Sequence, residues 1–433
     1  MDTDAVLALR PALTRYLSEF APCMGRRSNC RHLETYVCGQ MGPLERKSVE
    51  PIALDAGAAP RTLQEFLEMF RWDHEALRDR HQRRVARRHG HAAGIGLIDE
   101  TSFVKKGTRT ACVQRQYCGA AGKIENCVVS VHLGYAAPDF FTLLDGEPFL
   151  PEHTWAADAA RRREAEVPEG LVYRSKAHIA LEQVRRAVGN GVRFGWLVFD
   201  EWYGAKPWFL HELDAMGQTY VGETPRSFRV WTREPRLRAR RHPCDAQRRS
   251  GARPLTARSN PMAEVASVLA FSPILREQPW TLYRVQDSTT GPLLWEAKRI
   301  PVWLEKDGVP TRPHHLVVAR SVLNRREVKF FISNAPPRTP VTDLLFVAFS
   351  RWRVERLFED GKSELGMDHF EVRKYQSVHR HLILSCVSHA FLAEVKQREH
   401  SKSPGADGES DPLGHAGAGA AVGERTPLLA PGR

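Results

Sequence analysis

A chain of 433 residues, 42% of them hydrophobic and 26% charged, holds enough apolar mass for a large core and more than one domain, which excludes a disordered polypeptide. Lys and Arg total 63 against 51 Asp and Glu, a formal charge of +12, so the partner it suits best is a polyanion. No apolar run long enough to cross a bilayer and no basic-then-apolar leader occurs in the sequence, so the expectation is a soluble chain that is neither membrane-spanning nor exported.

The cysteines (Cys23, Cys30, Cys38, Cys112, Cys118, Cys127, Cys244, Cys386) include no C-x-x-C pair and read as reduced thiols. Cys23, Cys30 and His32 are a weak zinc candidate, because no matched ligand pair follows them.

Residues 1 to about 92 read as helical. Leu13, Tyr16, Leu17 and Phe20 repeat at i, i+3, i+4, i+7, as do Leu63, Phe66, Leu67 and Phe70. Thr62-Leu63-Gln64-Glu65 after Pro60 predicts a capping box. From Arg78 to His91 a continuing helix would carry Arg83, Arg84, Arg87 and Arg88. That cluster suits DNA phosphates, and a solvated helix face explains it equally well.

Ile95, Leu97 and Ile98 predict a buried strand that delivers Asp99 at its end, with Thr101–Arg109, including Lys105 and Lys106, as a basic turn. Strands at Gln114–Cys118 and Cys127–Tyr135 would complete a three-stranded antiparallel meander. The proline-punctuated stretch 138–168 reads as a covering loop. Ser175–Val188 predicts a helix with Ile179, Leu181, Val184 and Val188 inward. Phe194–Asp200 is a second apolar strand closing on a carboxylate, followed by a helix at Pro207–Met216 and a strand at Gln218–Gly222.

Further on, Trp280–Gln286, Leu293–Leu304, His315–Leu323 and Glu327–Ser333 are β-rich, with Asp307-Gly308 as a hairpin turn. Arg233–Arg253 is strongly basic and reads as a mobile loop or linker. In FSRWRVERLFEDGKSELGMDHF, from Phe349 to Phe370, Arg351, Glu355 and Lys362 fall at i, i+4 and i+11 on one helical stripe. Leu345, Phe349 and Trp352 would bury the same helix. His379-Arg380-His381 reads as a polar helix end with a minor metal-binding alternative. The Gly-, Ala- and Pro-rich tail beyond about 398 reads as disordered.

Two buried strands ending in Asp, and a helical Glu, offer hard oxygen donors of the kind Mg²⁺ requires. Either Asp taken alone is more often a loop starter or a helix cap.

With these residues in view the sequence resembles the DDE transposases of bacterial insertion sequences, in the branch with a β-rich insertion before the Glu. The pattern Tyr-x2-Arg-x3-Glu-x6-Lys is matched by Arg351, Glu355 and Lys362, while its Tyr position is Ala348. LIDETSFVKKG, QRQYCGAAGKIENC, FDEWYG and ELGMDHFEVRKY support the same group. The resemblance implies an α/β fold, a ribonuclease H-like mixed sheet flanked by helices. It implies a helical DNA-binding domain at 1–92, a catalytic core at 93–225 and 336–397, a β insertion at 226–335 and a tail at 398–433.

It further implies catalytic and metal-binding roles for Asp99, Asp200 and Glu355 with two Mg²⁺, for which Mn²⁺ could substitute. DNA contacts would come from Arg351, Lys362, Lys105, Lys106, Arg83, Arg84, Arg87 and Arg88. The partners implied are transposon terminal inverted repeats, target DNA and a second copy of the chain, in the bacterial cytoplasm with the nucleoid. A transposase-derived DNA-binding protein without catalysis and a structure-selective nuclease of the same fold are the alternatives.

Overall fold

The N-terminal periodicity becomes a set of helices: α1 (Thr3–Ser18), α2 (Ala21–Met24), α3 (Arg27–Met41), α4 (Val49–Asp55), α5 (Pro60–Glu68) and α6 (His74–His89). The structure, a computed structural model, describes residues 3–239, 255–257, 261–288 and 291–402. Leu13, Tyr16, Leu17 and Phe20 are all buried, as the spacing requires. The capping box is not formed: α5 starts at Pro60 with Ala59 as its N-cap, and Glu65 accepts from Arg61 at 2.9 Å instead. The arginine-rich stretch is not a continuation of α5 but a separate helix, started by Asp73, whose side chain accepts from the Ala76 N–H.

These helices gather around α15 (Tyr375–Lys402), the longest helix of the described residues. Tyr16 donates its hydroxyl to the Val387 carbonyl at 2.8 Å, and Tyr36 bonds His381 Nδ1 at 2.8 Å. Arg380 donates to the carbonyls of Phe66, Leu67 and Trp72, closing the end of α5. His379-Arg380-His381 is therefore core, not a polar helix end. Because α15 runs to Lys402, helix also occupies the first residues assigned to the tail; residues 403–433 lie outside the described ones.

The stretch that follows contains β1 (Ile95–Val104), β2 (Gln114–Cys118), β3 (Lys123–Ala137), β4 (Phe140–Pro148), α7 (Ala159–Glu164), α8 (Lys176–Gly189), β5 (Trp196–Phe199), α9 (Glu201–Gly204), α10 (Pro207–Ala215) and β6 (Tyr220–Thr224). Four expectations fail here. β1 runs on to Val104 because all ten of its residues pair with β3, so Asp99 sits mid-strand and the basic turn is shorter. The covering loop contains β4, which pairs with β3 and buries Phe140, Leu143 and Leu144; Pro138 precedes the strand and Pro148 is its last residue, so neither interrupts it. The meander is also rearranged, since β3 lies between β1 and β2. In α8 Ile179, Leu181 and Val184 are buried, but Val188 is exposed and Ala187 takes the inward position.

The remaining elements are β7 (Arg229–Val230), β8 (Leu237–Ala239), β9 (Leu255–Ala257), β10 (Ala263–Glu264), α11 (Val265–Phe271), α12 (Pro273–Glu277), β11 (Thr281–Ser288), β12 (Gly291–Lys306), β13 (Val309–Ser321), β14 (Val328–Ser333), α13 (Val341–Phe349) and α14 (Trp352–Ser363). Most of the basic run 233–253 lies outside the described residues. Asp307 and Gly308 have φ of 54° and 80°, the paired positive values of a two-residue hairpin turn whose twist matches its strands.

The β-rich runs become strands β11 to β14, an antiparallel meander, but not a sheet of their own. β14 pairs antiparallel with β6, β6 runs parallel to β5 and β5 parallel to β1. One ten-stranded mixed sheet results, in the order β11-β12-β13-β14-β6-β5-β1-β3-β2, with β4 also on β3. Helices cover both faces. Strand alternation assigns each residue to one of them: Ile95, Leu97 and Val198 join the core shared with α13, α14 and α15. Ile98, Leu197 and Phe199 join the one shared with α8 and α10. This is the ribonuclease H-like architecture, a large mixed sheet flanked by helices.

Candidate active site

The parallel pairing of β1 with β5 ends at Ile98↔Phe199, so Asp99 of β1 and Asp200, the first residue past β5, come next and are close enough for their charges to interact. Both fall on the face of Leu97 and Val198, toward α14. Burial, reinforced by the neighbouring Asp200 charge, pushes the Asp99 carboxyl up to about 7. Asp200 is likewise raised, chiefly by burial, although its Oδ1 accepts from the backbone N–H groups of Trp202 and Tyr203 at 3.0 and 3.2 Å. Those bonds make it the N-cap of α9.

The third carboxylate arrives on α14. The single helix expected through Phe349 breaks at Ser350, whose hydroxyl donates back to the Phe346 carbonyl at 2.7 Å. Val354 and Leu357 anchor α14, whereas Trp352 is exposed and donates to Gln286 of β11 at 3.4 Å. Glu355 stands in the first turn with its side chain 65% exposed. Arg351 bridges the gap, with Nη1 3.0 Å from Asp99 Oδ2 and Nη2 3.0 Å from Glu355 Oε1. Burial alone would lower the guanidinium pKa; the carboxylates of Asp99 and Glu355 hold it raised.

Glu100 points to the opposite face, where it pairs with Lys176 and accepts from the Tyr203 hydroxyl at 3.0 Å. Glu201 is exposed, and Glu359 is exposed and pairs with Arg356 at 3.1 Å. Ala348, at the position where the resemblance has Tyr, is buried in α13.

The expected cations divide into two groups. Lys362 lies along β1, its Nζ 3.4 Å from the Ser102 carbonyl and 5.7 Å from the Phe103 ring centroid, and burial lowers its pKa. Lys106 is exposed. Lys105 is engaged internally: it donates to the Phe370 carbonyl at 2.6 Å and sits on the Phe370 ring, and burial lowers it to about 8. Arg83, Arg87 and Arg88 are about half exposed, Arg83 near Asp79 and the other two paired with Glu19. Arg84 is buried against Glu394 and the Tyr16 ring, because it is the one position of the cluster that faces α1 and α15.

Three carboxylates set against the Arg351 guanidinium leave an excess of negative charge, partly buried and entirely of oxygen donors. That donor set fits a hard divalent cation. The carboxylates are spread more widely than a second group, His74, Glu75 and His379, whose ligand atoms all lie within 4.8 Å of one another. There, however, Arg78 and Arg186 already pair with Glu75. Cys23, Cys30 and His32 do not form such a group among the described residues; His32 packs against the Phe66 and Phe70 rings. Sequence reasoning passed over the Glu100, Lys176 and Tyr203 network, for which the adjacent Glu-Trp-Tyr of FDEWYG was the available signal.

At the centre of this ribonuclease H-like sheet Asp99 and Asp200 stand where the β1–β5 pairing ends, and Arg351 ties Glu355 to Asp99. Residues 19–292, more than half of the chain, match the family described as DDE superfamily endonuclease, and the chain belongs to that family. Enzymes of this superfamily use divalent metal ions. The matched range takes in Asp99 and Asp200 and ends before Glu355. The chain is also 30% identical over 186 residues to a probable transposase for insertion sequence element IS701 from Microchaete diplosiphon. That stretch is 42% of this chain and 46% of the relative, so less than half of the relative's length is covered. No helix among the described residues is long and apolar enough to cross a membrane.

Proposed function

We propose that this chain is a DDE-type DNA transposase, which cuts at the ends of a mobile element and joins the freed 3′ ends to target DNA. The observation that supports it best is that Arg351 reaches Asp99 and Glu355 together while Asp99 and Asp200 each follow directly on the last β1–β5 pair. Asp99, Asp200 and Glu355 would hold two divalent cations, Mg²⁺ by their oxygen chemistry, with Mn²⁺ as substitute. Two such ions, when bound, activate the attacking oxygen and stabilise the leaving one.

The protein's own groups do the rest. The β1–β5 register and the α9 cap hold two carboxylates rigidly. Arg351 orients Asp99 and Glu355 and is placed to turn toward a phosphate once cations take up the carboxylate charge. Lys362 and Lys106 would contact the DNA backbone near the cut, and Arg83, Arg87 and Arg88 farther along the duplex. Arg84 and Lys105 drop out of that set because each is committed inside the fold. The division into a 1–92 DNA-binding region, a split core and a 226–335 insertion is part of the same proposal, as is pairing of two copies around two element ends.

The test is nicking and strand transfer with DNA bearing the element's own termini. Mg²⁺-dependent nicking followed by joining into plasmid, both lost in Asp99→Asn and Glu355→Gln, is expected. Nicking without joining would identify a nuclease. Binding without nicking would identify a transposase-derived binding protein, the reading favoured by Ala348 in place of Tyr.

A further inference from the structure

The mechanism above leaves one surface beside the carboxylates unused. It lies on the α8, α9 and α10 side of the sheet, the face opposite the one Asp99 and Asp200 share, and meets them at the end of β5, where Lys206 is close enough to feel the Asp200 charge; its main features are two exposed indoles. Trp202 is 38% and Trp208 37% exposed. Lys206 Nζ stands 3.1 Å from the Trp202 ring centroid, held there by donating to the Trp202 carbonyl, and Lys176 Nζ stands 5.2 Å from it. His178 stacks on Trp208 with centroids 4.4 Å apart and planes 24° from parallel.

Two links tie this surface to the acidic site. Asp200 holds the backbone N–H groups of Trp202 and Tyr203, so Trp202 is fixed relative to that carboxylate. Lys176 is paired with Glu100, the neighbour of Asp99.

Singly exposed rings are ordinary on a protein surface; what sets these two apart is their surroundings. A protein partner would favour a contiguous apolar patch with few charges at its centre. Here lysines and a histidine alternate with the rings, the combination that grips a single nucleic-acid strand: rings stack bases and cations follow the phosphates. Paired bases inside a duplex hide their faces, so the rings select unpaired ones.

We propose that Trp202 and Trp208, with Lys176, Lys206 and His178, form a stacking platform for unpaired nucleotides of the DNA strand that lies across Asp99 and Asp200. The proposal rests on the transposase reading only in that DNA must reach this site. It does not require the DNA to be cut.

The test uses the full-length protein in metal-free buffer and fluorescence anisotropy. Three DNAs share one duplex: one is blunt, one carries an oligothymidine tail of about ten nucleotides, and one carries an abasic tail of the same length. The base-bearing tail should bind at least about tenfold more tightly than the abasic one, since stacking is worth a factor of that order per base. Trp202→Ala combined with Trp208→Ala should erase that ratio and leave blunt-duplex affinity unchanged, whereas Trp202→Phe should retain most of it.

Equal binding of the abasic and base-bearing tails would overturn the proposal, because charge alone would then account for the surface. So would an undiminished ratio in the double alanine variant. If that variant fails to fold, the comparison of tails with the unaltered protein still decides. Failure of the transposase reading shows up separately, as absence of Mg²⁺-dependent nicking by protein that keeps its tail preference.

Discussion

Arg84→Ala separates the two roles open to the arginine cluster of α6, a DNA contact or an internal tie. Arg84 is 3% exposed. Its Nη2 lies 3.1 Å from Glu394 Oε2, its Nε 3.2 Å from Glu19, and its guanidinium 4.4 Å from the Tyr16 ring centroid. Removing it strands the Glu394 carboxylate in the core with only His89, 3.1 Å away, and Arg398 at the edge. Breaking such a buried pair costs about 3–5 kcal/mol.

The Glu394 carboxyl points to a cost of similar size, shared between its two partners. Burial would raise the Glu394 carboxyl, but hydrogen bonds from His89 and Arg84 outweigh it and hold the pKa at about 2, below the ordinary 4.5. A depressed acid stabilises the fold above its unfolded value and loses that contribution as pH falls from 4.5 through 2, here about 3 kcal/mol. Urea denaturation should therefore show Arg84→Ala about 3–5 kcal/mol less stable than wild type at neutral pH, with the gap narrowing in acid. Adding Glu394→Gln should recover part of the loss. A variant within about 0.5 kcal/mol of wild type whose DNA affinity nevertheless drops would refute the reasoning.

Lys362→Ala should weaken duplex binding and lower the slope of log K against log salt by about 1, with the fold intact. Lys105→Ala should leave that slope unchanged and lower the melting temperature, because it unties the end of β1 from the Phe370 carbonyl. Gly204→Ala would bring a Cβ to 1.9 Å from the Glu223 carbonyl oxygen; α9 must then shift, at about 1–3 kcal/mol. Because α9 is capped by Asp200, nicking should fall further than denaturation midpoints predict. Chelation of divalent ions should abolish nicking and spare DNA binding through Arg83, Arg87 and Arg88.

What the sequence revealed follows from which forces act locally. The apolar runs before Asp99 and Asp200 and the Asp307-Gly308 turn were legible, since strand burial and positive φ select residue types directly. The extent of β1 was not: Thr101 to Val104 are kept in the strand by Ser130 to Cys127 of β3, a pairing that polarity along β1 conceals. β4 was missed because Asp145 and Glu147 look like loop residues until Arg78 and Arg174 are seen to neutralise them. Arg84 and Lys105 were misjudged for the same reason, that a formal charge does not reveal whether its partner is solvent, DNA or a distant acid. Asp99, Asp200 and Glu355 were singled out through family resemblance and Arg351 was set beside Glu355 by its spacing, but that Arg351 also reaches Asp99 is a long-range contact no local pattern encodes.

The joining of β14 to β6 gives the long insertion a mechanical part. Backbone hydrogen bonds run from β11 through to β5 and β1, so strands β11 to β14 cannot swing aside as a hinged flap. Force applied by nucleic acid at β11 or at the Gln286–Trp352 contact would pass through the sheet as through a plate. Trimming that region away would strip β6 of its neighbour and leave a raw edge beside Asp200, open to pairing with other chains.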